Sequence, residues 1–308
     1  MAANILSVVG GVFLAYHGIN FILQVIQGVK AFVLPSLGFR KDLKAFGSWA
    51  VVTGCTDGIG KSYAKQLAKQ GLNIVLMSRN LEKLKKVEEE IRSEYNVETR
   101  IIVIDFSGGQ EIYQDIGDKL KDLEIGILVN NVGIGIGKND FFLTYPMKAF
   151  NEQINANDLS TVMITYIVLP IMVARKRGLI INISSILALA PSPFNATYPA
   201  TKAFMDVFGQ CISAEYSDKG IQVQNVTPGY VSTKLTNYME KNWLVPSPDR
   251  FVHQALGTVG KEKKTMGYWS HSLSIWFGLN IMPVSMRDSI IWNIMSSFKE
   301  NASKEKTQ

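Results

Sequence analysis

Tyr198 and Lys202 stand four residues apart, and Ser185 precedes Tyr198 by thirteen. If Tyr198 opens a helix, a residue four positions later lies on the same face, one turn on. That brings an ammonium towards a phenol. A free phenol has a pKa near ~10, too high for ready proton transfer at neutral pH. An ammonium ~4 Å away, at an effective dielectric of ~20, favours the phenolate by about 4 kcal/mol, or roughly three pK units. The expected chemistry is proton exchange with an oxygen. Ser185, at the end of an apolar strand, could hold a carbonyl or hydroxyl oxygen beside the phenol. Tyr and Lys at this spacing also occur on ordinary surface helices, so the surrounding elements decide between the readings.

Those elements repeat a pattern. Trp49-Ala-Val-Val52 reads as a short buried strand. Gly54-Cys-Thr56-Asp57-Gly58-Ile59-Gly60 follows Thr53, then a helical pattern through Gln70. Strand, glycine turn and helix present backbone N–H groups and a helix N-terminus to a pyrophosphate. A second strand, Asn73 to Met77, ends in Ser78-Arg79-Asn80. An acidic residue at this point would favour NAD, whereas an Arg accommodates a 2′-phosphate and favours NADP. Leu81 to Tyr95 reads as a helix with a charged, solvated face. A third strand, Arg100 to Asp105, brings Asp105 to where an adenine would lie, and a fourth, Gly126 to Asn130, runs into Asn131-Val132-Gly133. A long helical stretch from Pro146 to Lys176 contains Asn157. Gly178 to Asn182 is a fifth strand delivering Ser184 and Ser185, and Tyr198 to Lys219 is the next helix. A sixth strand, Ile221 to Val226, leads into Thr227-Pro228-Gly229-Tyr-Val231-Ser-Thr233. Buried strands alternating with helices predict an α/β fold, a doubly wound parallel sheet of Rossmann type. Ligands on such sheets bind at the carboxyl ends of the strands, where the singled-out residues fall.

With 308 residues, 47% hydrophobic and 19% charged, the chain fits one domain of about 250 residues plus extra segments. The net charge of +6 is spread over Lys30 to Lys44, Lys261 to Lys264 and the C-terminus. No aromatic-interleaved basic patch supports nucleic acid as a partner. The distribution suits a negatively charged membrane surface or an anionic substrate. Cys55 and Cys211 build neither a disulfide framework nor a metal-ligand set, which fits a reducing compartment.

Residues 1–29 carry no Lys, Arg, Asp or Glu, and Ile5 to Leu34 is mostly apolar. About 20 such residues cross a bilayer, and the basic start of a signal peptide is missing. The expected organisation is a membrane anchor over 1–34, a basic linker over 35–47, a catalytic domain over 48–265, and a C-terminal apolar segment and basic tail over 266–308. Lys30, Arg40, Lys41 and Lys44 follow the apolar run, so the positive-inside rule puts the main domain in the cytosol. Tyr268 to Val284 is a second apolar stretch. Its Ser270, His271, Ser272 and Ser274 make it a poor span, and it reads as an interfacial or substrate-covering helix. His271 reads as a surface or packed residue. Lys304-Glu-Lys306-Thr-Gln308 fits the K-x-K-x-x retrieval pattern of the endoplasmic reticulum, which is read in the cytosol.

Thr53-Gly54-x3-Gly58-Ile59-Gly60, Asn130-Asn131-Val132-Gly133, Asn157, Ser185, Tyr198-x3-Lys202 and Pro228-Gly229 stand in an order and spacing that resemble the short-chain dehydrogenase/reductase family. Val132 departs from it, since the family more often has Ala there. The resemblance implies a catalytic set of Asn157, Ser185, Tyr198 and Lys202. Tyr198 would exchange the proton, Lys202 would lower its pKa and hold the nicotinamide ribose, Ser185 would orient the substrate oxygen, and Asn157 would hold a water. It implies NADPH/NADP+ as cofactor, bound by Gly54, Thr56, Asp57, Gly58, Ile59, Gly60, Arg79, Asp105, Asn131, Gly133, Tyr198, Lys202, Pro228, Gly229, Val231 and Thr233. No metal is implied. Trp49-Ala-Val-Val-Thr, Asp57-Gly-Ile-Gly-Lys61, Glu124 to Gly133 and Gly267-Tyr268 resemble one microsomal subgroup, the very-long-chain 3-oxoacyl-CoA reductases and related 17β-hydroxysteroid dehydrogenases. That implies a lipophilic acyl-CoA or steroid ketone as substrate, a place in the endoplasmic reticulum membrane, homodimerisation through the long helices, and association with other fatty acid elongation enzymes. A scaffold that binds nucleotide without turnover is the alternative, and the intact catalytic set argues against it.

Overall fold

The computed structural model describes residues 2–137 and 139–304, with side chains described over 7–137 and 139–300. The retrieval pattern therefore falls outside the described residues beyond the backbone of Lys304, Lys306 included. The chain opens with α1 (Ala2–Gly28), passes through a π-helical turn (Val29–Val33) and reaches β1 (Trp49–Thr53). Then come α2 (Gly58–Lys69), β2 (Asn73–Ser78), α3 (Leu81–Glu94), β3 (Thr99–Val103), α4 (Ile116–Leu120) and β4 (Ile125–Asn130). The second half runs α5 (Met147–Ile154), α6 (Ser160–Ala174), β5 (Gly178–Ile183), α7 (Thr197–Tyr216), β6 (Ile221–Val226), α8 (Pro248–Gly257) and β7 (Lys264–Thr265). Last are α9 (Trp269–Asn280) and α10 (Val284–Lys304).

The strands form one parallel sheet in the order β3-β2-β1-β4-β5-β6-β7. Strand order reverses between β1 and β4, which opens a crevice at their carboxyl ends. The central strands β1, β2, β4 and β5 are mostly apolar because both faces are covered. Along β1, Ala50 and Val52 pack into one core with Tyr63, Leu67, Leu84, Ile91 and Phe251 from α2, α3 and α8. Trp49 and Val51 face the other core, with Leu120, Ile164, Val168 and Met172 from α4 and α6. β7 is two residues long, too short to be legible as a strand, and pairs with Asn225 and Val226.

The helical stretch expected from Pro146 to Lys176 is interrupted. A π-helical turn, Asn155–Leu159, separates α5 from α6 and contains Asn157. Such turns displace backbone bonds, and here Ser160 Oγ donates to the Ala156 carbonyl (2.6 Å) and Thr161 Oγ1 to the Asn157 carbonyl (2.9 Å). The most apolar 18-residue window of Met147–Ala174 is half buried, whereas that of Ser7–Leu37, with mean hydropathy 1.6, has no buried residue. Its base is tied down: Lys261 Nζ donates to the Phe39 carbonyl (2.8 Å) and Lys41 Nζ to Gln222 Oε1 (3.0 Å).

Candidate active site

A cleft of ≈ 1210 Å³ runs along the carboxyl ends of the strands. Its walls include every residue expected to hold the cofactor, together with Ser185, Tyr198 and Lys202. Asn157 stands behind the wall, fully buried.

The glycine turn is built for close approach. Gly54 and Gly58 have φ of 63° and 53°, the left-handed region that glycine adopts without strain. A Cβ on Gly60 would lie 2.3 Å from both the Gly54 carbonyl oxygen and Asn131 Nδ2. Asp57 caps α2, its Oδ1 accepting from Gly58 N at 2.7 Å. Asn131 braces this turn: its Nδ2 donates to the Thr53 and Gly54 carbonyls at 3.0 and 3.1 Å, and its N–H donates to Thr53 Oγ1 at 3.0 Å. Thr233 closes the far side, since a Cβ on Gly58 would sit 3.0 Å from Thr233 Cγ2. A glycine cradle at a helix N-terminus fits the pyrophosphate of a nicotinamide dinucleotide.

Arg79 lines the cleft beyond β2. Burial would push the Asp105 carboxyl up, but the Ser107 N–H and hydroxyl and the nearby Arg79 charge hold it below the usual range. Lys83 joins Arg79 on this wall. Sequence reasoning passed over Lys83. The available signal was its place in the first turn of α3, where Asn80 Oδ1 accepts from Lys83 N at 2.9 Å.

Tyr198 and Lys202 share the buried face of α7, with 9% and 3% of their surface exposed. Burial, partly offset by the hydrogen bond with the Ser185 hydroxyl, pushes the Tyr198 phenol up to about 12. The expected ammonium–phenol pairing takes another form. Lys202 Nζ lies 5.8 Å from the Tyr198 ring centre and donates to the Ile183 carbonyl at 2.9 Å. Burial, partly offset by the Asp158 charge, brings Lys202 down to about 8. The backbone of Lys202 is pinned as well, its carbonyl accepting from Ser184 Oγ at 2.7 Å.

Asn157 spends its amide on neighbours. Its Oδ1 accepts from Ile134 N (2.8 Å), and its Nδ2 donates to the Ile134 carbonyl (3.1 Å) and Thr201 Oγ1 (3.0 Å). The side chain thus clamps the loop after β4 to α7, rather than reaching towards solvent. Beneath the site runs a buried amide ladder. Asn130 Nδ2 donates to Asn182 Oδ1 (2.9 Å), Asn182 Nδ2 to Asn225 Oδ1 (3.1 Å), and Asn225 Nδ2 to the Asp206 carbonyl (2.6 Å).

Met295 and Phe298 were not legible as site residues, whereas His271 is packed, one of the two readings its sequence context offered. Met295 and Phe298 of α10 line the cleft; their i, i+3 spacing is the helical signal that could have paired them. His271 of α9 is buried. Its Nδ1 accepts from Gly229 N (3.1 Å), so Nε2 carries the proton and meets the Leu244 carbonyl (2.9 Å). Burial keeps this imidazole below its ordinary value, hence neutral.

The family model described as short chain dehydrogenase matches residues 48–243. A Homo sapiens protein named inactive hydroxysteroid dehydrogenase-like protein 1 is 43% identical over 298 residues, covering 92% of this chain and 90% of its own. Very-long-chain 3-oxoacyl-CoA reductase-B of Danio rerio is 39% identical over 308 residues, covering 99% of this chain and 98% of its own. A solved short-chain dehydrogenase from Sphingobium yanoikuyae in complex with NADPH superposes with a TM-score of 0.65 at 26% identity, covering 77% of this chain and 98% of that one. The chain belongs to the short-chain dehydrogenase family, in the subgroup of very-long-chain 3-oxoacyl-CoA reductases and hydroxysteroid dehydrogenase-like proteins.

Proposed function

We propose that this chain is an NADPH-dependent ketone reductase acting on a lipophilic substrate, with a long-chain 3-oxoacyl-CoA reduced to its 3-hydroxy form. The observation that carries the reading is a single cleft joining an Arg79-bearing nucleotide cradle to Ser185, Tyr198 and Lys202. The family and the Danio rerio relative support it. The human relative's name marks that protein as inactive; this chain keeps Asn157, Ser185, Tyr198 and Lys202 together, which supports turnover.

The cofactor supplies the hydride when bound. Gly54, Gly58 and Gly60 admit its pyrophosphate, and Arg79 with Lys83 receives a 2′-phosphate. Tyr198, held neutral by burial, donates its proton to the substrate oxygen. Ser185 orients that oxygen through the hydroxyl already bonded to the phenol. Lys202 keeps a positive charge alongside the ring, and Asn157 fixes the loop and helix that frame it.

Residues 1–34 serve as a membrane anchor and 48–265 as the catalytic domain, facing the cytosol of the endoplasmic reticulum. The exposed α1 and the basic residues at its base support this topology. The test is NADPH oxidation by the full chain with 3-oxoacyl-CoA and with a 17-ketosteroid, for wild type and Tyr198→Phe. Turnover of the steroid alone replaces the acyl-CoA reading. Full activity of Tyr198→Phe overturns the mechanism.

A further inference from the structure

The 18 residues from Trp269 to Met286 contain no Asp, Glu, Lys or Arg. They form α9 and the turn into α10. Leu273, Phe277, Ile281, Val284 and Met286 are each more than half exposed. Six polar side chains sit among them, Ser270, His271, Ser272, Ser274, Asn280 and Ser285, and four of these bond within the chain. Ser270 Oγ donates to the Trp243 carbonyl (2.7 Å), Ser274 Oγ to the Ser270 carbonyl (2.8 Å), and Asn280 Nδ2 to the Trp276 carbonyl (2.9 Å). His271, the fourth, is spent on Gly229 and Leu244. Polar groups satisfied in this way no longer oppose entry into hydrocarbon.

The depth of α9 follows from its neighbour. The Trp276 and Phe21 rings lie 5.4 Å apart. Phe21 precedes Lys30 by nine residues, or ~13 Å along a helix rising 1.5 Å per residue. With Lys30 at the lipid surface, Phe21 lies near the middle of a hydrocarbon core about 30 Å thick. Trp276 shares that depth. Yet α9 has 12 residues, and a helix of that length spans only ~18 Å, too short to cross. Pro283 follows it, and α10 returns to the domain, where Met295 is buried at the cleft. The first charges after the turn, Arg287 and Asp288, pair with each other at 3.6 Å.

We infer that α9 and α10 form a hairpin whose tip, around Ile281 to Met286, enters the bilayer beside α1 and returns the chain to the side it left. The partner of this exposed face is lipid acyl chain. The inference rests on the reading of α1 as a membrane helix. It also gives the cleft a wall, Met295 and Phe298, that is continuous with a lipid-facing helix, so that an apolar chain can pass from bilayer to site without crossing water.

The test is cysteine labelling of the full chain in sealed vesicles of phosphatidylcholine with phosphatidylserine, with the catalytic domain outside. The exposed Cys211 is replaced by Ser; Cys55 is buried, its thiol pushed up to about 12, and stays silent. Single cysteines are placed by Ile281→Cys and Met286→Cys at the tip, Ser297→Cys beyond it, Val12→Cys in α1 and Leu143→Cys on the domain. A membrane-impermeant maleimide labels the tip at least about tenfold more slowly in vesicles than in detergent, while Ser297→Cys and Leu143→Cys label alike from outside. Tip cysteines as reactive as Leu143→Cys, with Val12→Cys protected, overturn the hairpin and leave the anchor standing. Free labelling of Val12→Cys as well removes both. Labelling of Ser297→Cys only after permeabilisation replaces the hairpin with a crossing.

Discussion

Lys202 Nζ lies 5.8 Å from the centre of the Tyr198 ring, yet its hydrogen bond goes to the Ile183 carbonyl. The ammonium is therefore a charge beside the ring and not a donor to the phenol. Its own protonation becomes the sensitive quantity, because burial has brought it to about 8. Reduction needs a neutral Tyr198 and a positive Lys202. We expect kcat/KM for reduction to be flat towards neutral pH and to fall above about pH 8. In Lys202→Arg, whose guanidinium stays charged to pH above ~12, that alkaline fall moves upward. A pH–rate profile of the two proteins checks this.

Asp158 tunes the same group. Burial, opposed by the Lys202 charge, raises its carboxyl to about 7. Above that pH the carboxylate supports the ammonium, so Asp158→Asn leaves Lys202 easier to deprotonate. The alkaline fall of activity then shifts to lower pH, with little change at pH 6, where Asp158 is largely protonated. The same profile, repeated on the variant, decides it.

Tyr198→Phe removes the proton donor and leaves the cradle intact. General acid catalysis contributes about 10²–10⁴-fold, so activity should fall by roughly 10³. Binding of NADPH, followed by its fluorescence, should change little. Loss of binding in parallel with activity would mean a collapsed site rather than a missing proton.

Arg79→Asp should invert the cofactor preference. A charge-assisted bond to the 2′-phosphate is worth about 1.5–3 kcal/mol, roughly 10- to 100-fold in KM for NADPH. KM for NADH should improve, since a carboxylate can accept from ribose hydroxyls. An unchanged NADPH/NADH ratio would take Arg79 out of the account.

His271→Leu orphans the Gly229 N–H and should destabilise the protein by about 1–3 kcal/mol in chemical denaturation. The native His271 also makes stability pH-dependent. Its folded pKa is depressed by burial, so its contribution is present above the ordinary imidazole value of ~6.5 and is lost as pH falls through the folded value. His271→Gln should show a weaker loss of thermal midpoint between pH 7 and pH 5.

The strands and the glycine turn were legible because doubly buried strands are runs of Val, Ile and Leu, and because only glycine tolerates the contacts around Gly60. Tyr198, Lys202 and Ser185 were legible from spacing. The direction of the Lys202 ammonium was not, since it depends on where β5 leaves the Ile183 carbonyl. Nor was the hold of His271 on Gly229, which joins residues 42 apart in the chain. The π-helical turn at Asn155–Leu159 hid within a pattern that reads as uninterrupted helix.

Asn130, Asn182 and Asn225 face one another at matched positions of β4, β5 and β6. Their amides all donate in one direction across the sheet. A slip of any of these strands by one residue would turn its amide to the other face and strand it in an apolar core. The ladder is thus an alignment mark. The strand ends carrying Asn131 and Ser184 are set level by three amides that do not line the cleft, and the accuracy of the site is fixed by the sheet itself.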